Sequence, residues 1–180
     1  MKQKYFKLYE NLISDNNLTT NEKLIICFFL DFEKEAITNN TLIELLNCDK
    51  RQLNINLAKL KALKYIKIEN ENNKRKITIN KDTIKPSENY IKINEKLLKN
   101  NTELNNQEKI FISYLMENEK DKILLRNETI KKKLNISDRY ARKMLNRLKQ
   151  LNYIDYYIEG YSTRIIKPQY KLWKIKLNFD

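Results

Sequence analysis

The stretch NISDRYARKMLNRLKQLNYI (residues 135–154) has the apolar periodicity of a helix that packs against a core on one side. Its apolar positions are Ala141, Met144, Leu145, Leu148 and Leu151. Its remaining faces are basic, with Arg139, Arg142, Lys143, Arg147 and Lys149, and Asp138 is the only acid before Asn152. A solvated helix usually balances its cations with acids, so this segment predicts a negatively charged partner.

The segment NCDKRQLNINLAKLKALKYI (residues 47–66) repeats the same pattern. An offset of 88 residues aligns Leu57, Leu60, Lys61, Tyr65 and Ile66 with Leu145, Leu148, Lys149, Tyr153 and Ile154, and also aligns Arg51 with Arg139. With offsets of 85 and 86, Tyr5, Lys7, Glu10, Leu12, Glu22 and Lys23 align with Tyr90, Lys92, Glu95, Leu97, Glu108 and Lys109. Self-similarity in the same order over this length predicts an internal duplication.

Each copy predicts the same series of elements. A short extended piece (residues 5–8 or 90–93) and a short helical piece precede a stronger helix, which Thr19 or Thr20, or Asn105 or Asn106, can cap. A second helix, a polar turn and the basic third helix follow. Alternating residues then predict two strands, joined at Asn72–Asn73 in the first copy and at Glu159–Gly160 in the second.

The third helices end at different residue types. Asn152 follows the second one, and Asn tolerates the left-handed conformation that often terminates a helix. Lys64 stands at the equivalent place in the first copy, and Lys adopts that conformation less readily. We therefore expect the third helix of the first copy to end differently from the third helix of the second copy.

The segments TLIELLNCDKRQLNINLAKLKALKYIKI (residues 41–68) and TIKKKLNISDRYARKMLNRLKQLNYIDYY (residues 129–157) resemble winged helix-turn-helix DNA-binding domains. Such domains occur in bacterial regulators and in phage and plasmid replication proteins. The resemblance implies a mainly α fold with small β-hairpin wings, which is an α+β class. It implies two tandem domains, residues 1–84 and residues 90–180 with a C-terminal extension, joined by a short linker at residues 85–89.

Charge is concentrated on corresponding parts of the two copies. The chain carries a net charge of +13. Residues 50–76 hold nine cations and two acids, and residues 131–149 hold eight cations and one acid, so each segment carries +7. These are the third helices with a wing or a second helix, the parts that a winged helix presents to DNA. Double-stranded DNA is therefore the predicted partner.

Position on the third helix predicts the role of each residue. Early residues are expected to read base edges, where Arg suits guanine and Asn or Gln suits adenine. These are Lys50, Arg51, Gln52 and Asn54, and Arg139, Tyr140, Arg142 and Lys143. Later residues and the wings are expected to contact phosphates. The phosphate candidates are Lys59, Lys61, Lys64, Lys74, Arg75, Lys76, Lys131, Lys132, Lys133, Asn146, Arg147, Lys149, Tyr161, Ser162 and Arg164.

Enzymatic classes are disfavoured by the composition. The chain has no His, which removes histidine acid–base catalysis and a Ser-His-Asp triad. One Gly cannot build a phosphate-binding glycine loop, and two Cys without His make a metal site improbable. We expect a non-enzyme with no metal, no cofactor and no membrane segment, acting in the cytoplasm on the nucleoid or a plasmid.

Three functions are compatible with a basic tandem winged helix. The first is a transcriptional regulator of a mobile genetic element. The second is a replication initiator of a plasmid or phage, which binds its origin. The third is a segregation or scaffolding protein whose winged helices bind proteins, which predicts neutral or acidic third helices, so the observed charge counts against it. Self-association, or a host transcription or replication protein, is compatible with the first two. A site of about two helical turns without a perfect palindrome is expected.

Overall fold

The computed structural model describes residues 5–32, 38–71, 74–117, 122–159, 163–169 and 171–172, without the side chains of residues 70, 71, 74 and 75. It is an α+β fold of short helices and small antiparallel sheets. The first half contains β1 (Tyr5–Tyr9), α1 (Glu10–Ile13), α2 (Thr20–Asp31), α3 (Asn39–Leu46), α4 (Lys50–Ala62), β2 (Ile66–Glu71) and β3 (Lys74–Ile79). The second half contains β4 (Tyr90–Asn94), α5 (Glu95–Asn100), α6 (Asn106–Glu117), β5 (Ile123–Arg126), α7 (Asn127–Leu134), α8 (Asp138–Gln150), β6 (Ile154–Glu159) and β7 (Thr163–Pro168).

The longest apolar helices begin at the predicted caps. The Thr19 hydroxyl accepts the Glu22 backbone N–H, and the Glu22 carboxylate accepts the Thr19 N–H at 2.7 Å. Asn105 and Glu108 exchange the corresponding bonds at the start of α6. Each reciprocal pair satisfies two N–H groups that the first turn of a helix leaves without a partner. Thr19 and Asn105 are therefore the capping residues among the predicted alternatives.

The predicted hairpins are present in both halves. Strand β2 pairs with β3 from Ile66↔Ile79 to Glu71↔Lys74, and β6 pairs with β7. In the second half β5 also pairs with β7, which gives the strand order β5-β7-β6. Strand β5 was not predicted, because four residues carry too short an alternation to distinguish a strand from a loop. Asn72, Asn73 and Gly160 lie outside the described residues.

The expectation about Lys64 was wrong. Lys64 adopts φ 61° and Asn152 adopts φ 59°, and both follow helices that end in the same way. The N–H of Tyr65 bonds to the carbonyl of Leu60 at 2.9 Å, and that of Tyr153 bonds to Leu148 at 3.0 Å. This is the six-to-one hydrogen bond of a left-handed helix terminus. Burial of the following residue, Ile66 or Ile154, favours the same chain reversal in both halves.

Replacing Lys64 by glycine is expected to raise the free energy of unfolding by about 0.5–1 kcal/mol. The Lys64 Cβ is crowded in the left-handed conformation, and glycine removes that strain. Asn152→Gly is the matched control, with a smaller gain because Asn tolerates the conformation. Urea unfolding of the three proteins measures the difference. A Lys64→Gly protein less stable than the wild type would contradict the strain.

The halves are joined by a strand pair that was not foreseen. Strand β1 runs antiparallel to β4, with Tyr5↔Asn94 and Tyr9↔Tyr90 at the ends and Lys7↔Lys92 at the centre. Lys7 and Lys92 are equivalent in the alignment of the two halves. An antiparallel ladder centred on two equivalent residues has a local two-fold axis between them.

Other contacts between the halves occur in related pairs. The Lys7 Nζ lies 4.8 Å from the centre of the Tyr90 ring, and the Lys92 Nζ lies 5.4 Å from that of Tyr5. Near the starts of α2 and α6, the Thr20 hydroxyl bonds to the Gln107 side chain. Asn106 is equivalent to Thr20 and Asn21 to Gln107, and these two residues also bond to each other. The approximate two-fold relation therefore extends from the strands to these helix starts.

The segment between β3 and β4 is attached to the first half. The Asn11 side chain donates to the Lys85 carbonyl at 2.8 Å, and the Glu10 N–H donates to the Asn89 carbonyl at 2.9 Å. Ile84 is buried just before it. These contacts restrict how freely residues 85–89 can move relative to α1.

One set of buried apolar side chains extends through both halves. Phe6 and Ile93, which are paired across β1 and β4, are fully buried and belong to it. The two halves thus share a core. In the part of the chain that the structure describes, every helix is too short or too polar to cross a bilayer.

Candidate nucleic-acid interface

Helices α4 and α8 each bury one face and expose the opposite one. Leu53, Leu57 and Leu60 of α4 are buried, as are Met144, Leu145 and Leu148 of α8. The Asp49 carboxylate caps α4 at the Gln52 N–H, and the Ser137 hydroxyl caps α8 at the Tyr140 N–H. The caps fix where each helix begins, and the core fixes how it is rotated.

The outermost side chains form one stripe on each helix, spaced four, three and four residues apart. On α4 the stripe is Arg51, Ile55, Ala58 and Ala62, and on α8 it is Arg139, Lys143, Asn146 and Gln150. All eight residues are exposed. This spacing follows one side of a helix, opposite the buried face. Each helix therefore projects an arginine from its first turn, at equivalent positions.

Several predicted DNA ligands have no acidic partner within the described part of the chain. Among the described residues, no carboxylate lies within ion-pair distance of Lys50, Arg51, Lys61, Arg139 or Lys143. All five side chains are exposed. Clustered cations without local compensation raise the potential of these two helix faces and attract an anionic polymer.

Two of the predicted phosphate ligands form ion pairs between helices. Lys59 pairs with the buried Glu22 at 2.9 Å, and the equivalent Arg147 pairs with the buried Glu108. Arg147 also donates to the Glu103 carbonyl at 2.7 Å. The hydrogen bond to Glu108 raises the pKa of Arg147 above its usual value. Lys59 thus connects α4 to the capped start of α2, and Arg147 connects α8 to the capped start of α6.

Other predicted ligands are paired at the surface. Arg142 bonds to Asp138 at 2.6 Å, one helical turn away. Lys149 pairs with Asp155 at 2.6 Å, and this hydrogen bond lowers the pKa of the Asp155 carboxyl. Asn146 accepts a hydrogen bond from the Tyr156 hydroxyl. Exposed ion pairs of this kind contribute about 0–1 kcal/mol, so a phosphate can replace the acid.

Helix α7 contributes both to the surface and to the junction of the halves. Lys132 is exposed, and Lys131 is half-buried. Lys133 pairs with Glu10 of the first half at 3.0 Å, and the hydrogen bond lowers the pKa of Glu10. Lys133 therefore has a defined partner in the protein.

The placement of Arg164 corrects the sequence interpretation. Its side chain is only 7% exposed, and its guanidinium lies 5.5 Å from the centre of the Tyr156 ring. Strand β7 is the central strand of its sheet, and Arg164 is paired with Leu125 of β5 on one side and with Ile158 of β6 on the other. The predicted backbone contact therefore lacks the exposure it needs. Lys76 of the first hairpin is exposed, whereas the side chains of Lys74 and Arg75, and all of Tyr161 and Ser162, lie outside the described part of the chain.

Three of the predicted base readers have contacts of their own. Tyr140 hydrogen-bonds to the Asn105 side chain, and burial raises its pKa. Tyr140 lines a cleft of about 530 Å³ between the halves, together with Asn16 and Asn135. Gln52 donates to the buried Asn56 side chain at 3.0 Å, and Asn54 also has a partner within the protein. Arg51 and Arg139 thus make fewer contacts within the described part of the protein than these neighbours do.

Sequence reasoning missed one prominent side chain. Ile55 is 50% exposed at the centre of the α4 stripe. Together with Lys50, Arg51, Asn54 and Ala58 it lines a shallow depression in front of the helix. Ile55 falls outside the spacing of Leu53, Leu57 and Leu60 that defines the buried face. An apolar residue at such a position predicts an exposed apolar side chain.

No protein-family model matches this sequence, and no curated protein matches it significantly. The functional interpretation therefore depends on the geometry of α4, α8 and the strand pair that joins the halves.

Proposed function

We propose that this chain is a sequence-specific double-stranded DNA-binding protein with two tandem winged helix-turn-helix domains, produced by duplication. In each domain the third helix, α4 or α8, enters the major groove. The hairpins β2–β3 and β6–β7 act as wings beside it. Major-groove edges distinguish all four base pairs, and a helix fits this groove.

One observation carries this proposal: each half exposes an equivalent arginine, Arg51 or Arg139, on the outer face of the same helix, and neither has an acidic partner among the described residues. Arg51 and Arg139 lie in the first turns of α4 and α8, where a recognition helix approaches base edges. Each can donate two hydrogen bonds to a guanine. Cations that only solvate a surface would not need to recur on one helix face in both halves. The duplicated pattern therefore favours DNA over solvent.

The β1–β4 strand pair supports an inverted orientation of the two half-sites. Because β1 and β4 are related by a local two-fold axis, the two third helices read the duplex in opposite directions. The half-sites are then inverted relative to each other. They differ in sequence, because Ile55 in α4 is replaced by Lys143 in α8. An imperfect inverted repeat is the expected target of one chain.

We further propose that binding regulates transcription of a mobile genetic element, with occupancy of the site as the regulatory event. A bound chain that covers two adjacent major grooves competes for a promoter. Basic third helices favour this function over a purely protein-binding scaffold. Support for the mobile element comes from the family resemblance alone.

Selection from a random duplex pool tests the proposal, with sequencing of the bound fraction at two salt concentrations. A defined imperfect inverted repeat, bound far more tightly than bulk DNA, is expected. Its position over a promoter would support regulation, whereas repeated copies at an origin would support replication initiation instead. Weak binding to all sequences that disappears at higher salt would overturn sequence-specific recognition, since it reflects counterion release alone.

A further inference from the structure

The outer stripes of α4 and α8 differ chemically at their centres. After the shared arginine, α4 presents Ile55 and Ala58, whereas α8 presents Lys143 and Asn146 at the equivalent positions. Ile55 is 50% exposed, although the buried face of α4 is filled by leucines. The isoleucine is therefore not required by the core and is available for contact with a partner.

We infer that Ile55 is a specificity-determining residue that contacts thymine C5-methyl groups in the half-site read by α4. This inference rests on the proposed function. The thymine methyl is the only apolar group on a major-groove base edge, and apolar side chains recognise it by contact. In the half-site read by α8, Lys143 and Arg139 favour guanine instead, because its edge carries two acceptors.

Charge around the patch favours DNA as the occupant. The depression at Ile55 is bordered by Lys50 and Arg51, and Lys61 is exposed on the same helix. Among the described residues none of these three cations has an acidic partner. An apolar protein partner would have to cover them without compensation, which is costly. A duplex places phosphates near the cations and methyl groups near the isoleucine.

Replacement of thymine by deoxyuridine tests the inference, because it removes only the C5-methyl. The probes are the selected duplex and two versions with deoxyuridine in one half-site or the other. The wild type is expected to lose about four-fold affinity per contacted methyl in the α4 half-site, the factor for one buried methyl-sized group. The Ile55→Ala variant is expected to bind the duplex with deoxyuridine in the α4 half-site as tightly as the thymine duplex.

Lys143→Ala is the matched control, because it changes the equivalent position of α8. It is expected to weaken binding while it keeps the thymine preference in the α4 half-site. Thermal unfolding verifies that Ile55→Ala is folded, which its exposure favours.

The outcomes separate this inference from the proposed function. A wild type that binds its selected duplex but ignores deoxyuridine in both half-sites would overturn the role of Ile55 and leave DNA binding intact. Absence of duplex binding would instead overturn the proposed function. An Ile55→Ala protein with unchanged DNA affinity but altered self-association in sedimentation would assign the patch to contacts between copies.

Discussion

An Arg51→Ala, Arg139→Ala double variant is expected to lose roughly 2–6 kcal/mol of binding free energy on the selected duplex. Each arginine that bonds to guanine contributes about 1–3 kcal/mol, and contacts in separate half-sites add. Each single variant should also relax the preference at one base pair, in its own half-site. Fluorescence anisotropy titrations at fixed salt, on the selected site and on single-base changes, measure both effects.

Arg147→Ala is the control for this pair of variants. Its guanidinium bonds to the buried Glu108 and to the Glu103 carbonyl, so its removal should destabilise the start of α6. The base preference should remain. Arg51 and Arg139 are exposed and unpaired among the described residues, so their loss should change stability by less than about 0.5 kcal/mol. An equal loss of affinity on all sequences would assign both arginines to phosphates.

Local patterns made much of the fold predictable. The cap at Thr19 needs only a glutamate three residues later, and the alternation after Ile66 needs only adjacent residues. The buried and exposed faces of α4 and α8 follow from helical spacing. These features depend on residues that are close in sequence, so one sequence is enough to find them.

Long-range partners were not predictable in the same way. The strand YFKLY reads as extended, but nothing in it specifies YIKIN of the other half as its partner. Arg164 is paired with Leu125 of β5, a strand too short to detect. The pairing of Lys59 with Glu22 joins residues that are distant in the chain. Such contacts require the three-dimensional packing.

These long-range contacts divide the basic residues into two groups. Lys59 and Arg147 join elements through buried acids, and Lys133 joins the halves through Glu10. Arg51 and Arg139 have no such task among the described residues and stay exposed. Net charge alone cannot separate the groups, because every cation contributes equally to it. Pairing therefore narrows the candidate interface to the outer faces of α4 and α8.

Lys109 is expected to contribute a rise of about 2 kcal/mol to the free energy of unfolding between pH 8 and pH 10, measured as the difference between the wild type and Lys109→Met. The difference is the measured quantity because burial raises the pKa of the Cys27 thiol to about 12, which lowers the stability of both proteins as pH rises. The Lys109 side chain is fully buried, and its Nζ donates to the Leu98 carbonyl at 2.7 Å. Burial lowers the pKa of Lys109 to about 8, against about 10.5 in the unfolded chain. In this interval the unfolded state binds a proton that the folded state lacks, so this contribution to stability rises with pH.

The Lys109→Met variant should lack this rise, because methionine fills the space without titrating. Lys23→Met is the matched control: Lys23 is the equivalent residue, donates to the Ile13 carbonyl at 2.6 Å and is only half-buried. Burial also lowers the pKa of Lys23, while Asp15 and Glu22 oppose the shift, so this variant should keep most of the rise. Urea unfolding at half-unit pH steps measures all three proteins.

Above pH 10 two tyrosines add to the loss of stability that the Cys27 thiol causes. Burial and the neighbouring Asp31 raise the pKa of Tyr9 to about 12, and burial and Asp15 raise that of Tyr65 to about 12. Between pH 10 and 12 both tyrosines keep their protons in the folded state and lose them in the unfolded state, so stability falls. The Lys109→Met protein should show this fall as well, and it should lack only the contribution of Lys109 between pH 8 and pH 10. If the difference in unfolding free energy between the wild type and this variant stayed constant from pH 8 to pH 10, it would contradict a titrating ammonium at Lys109.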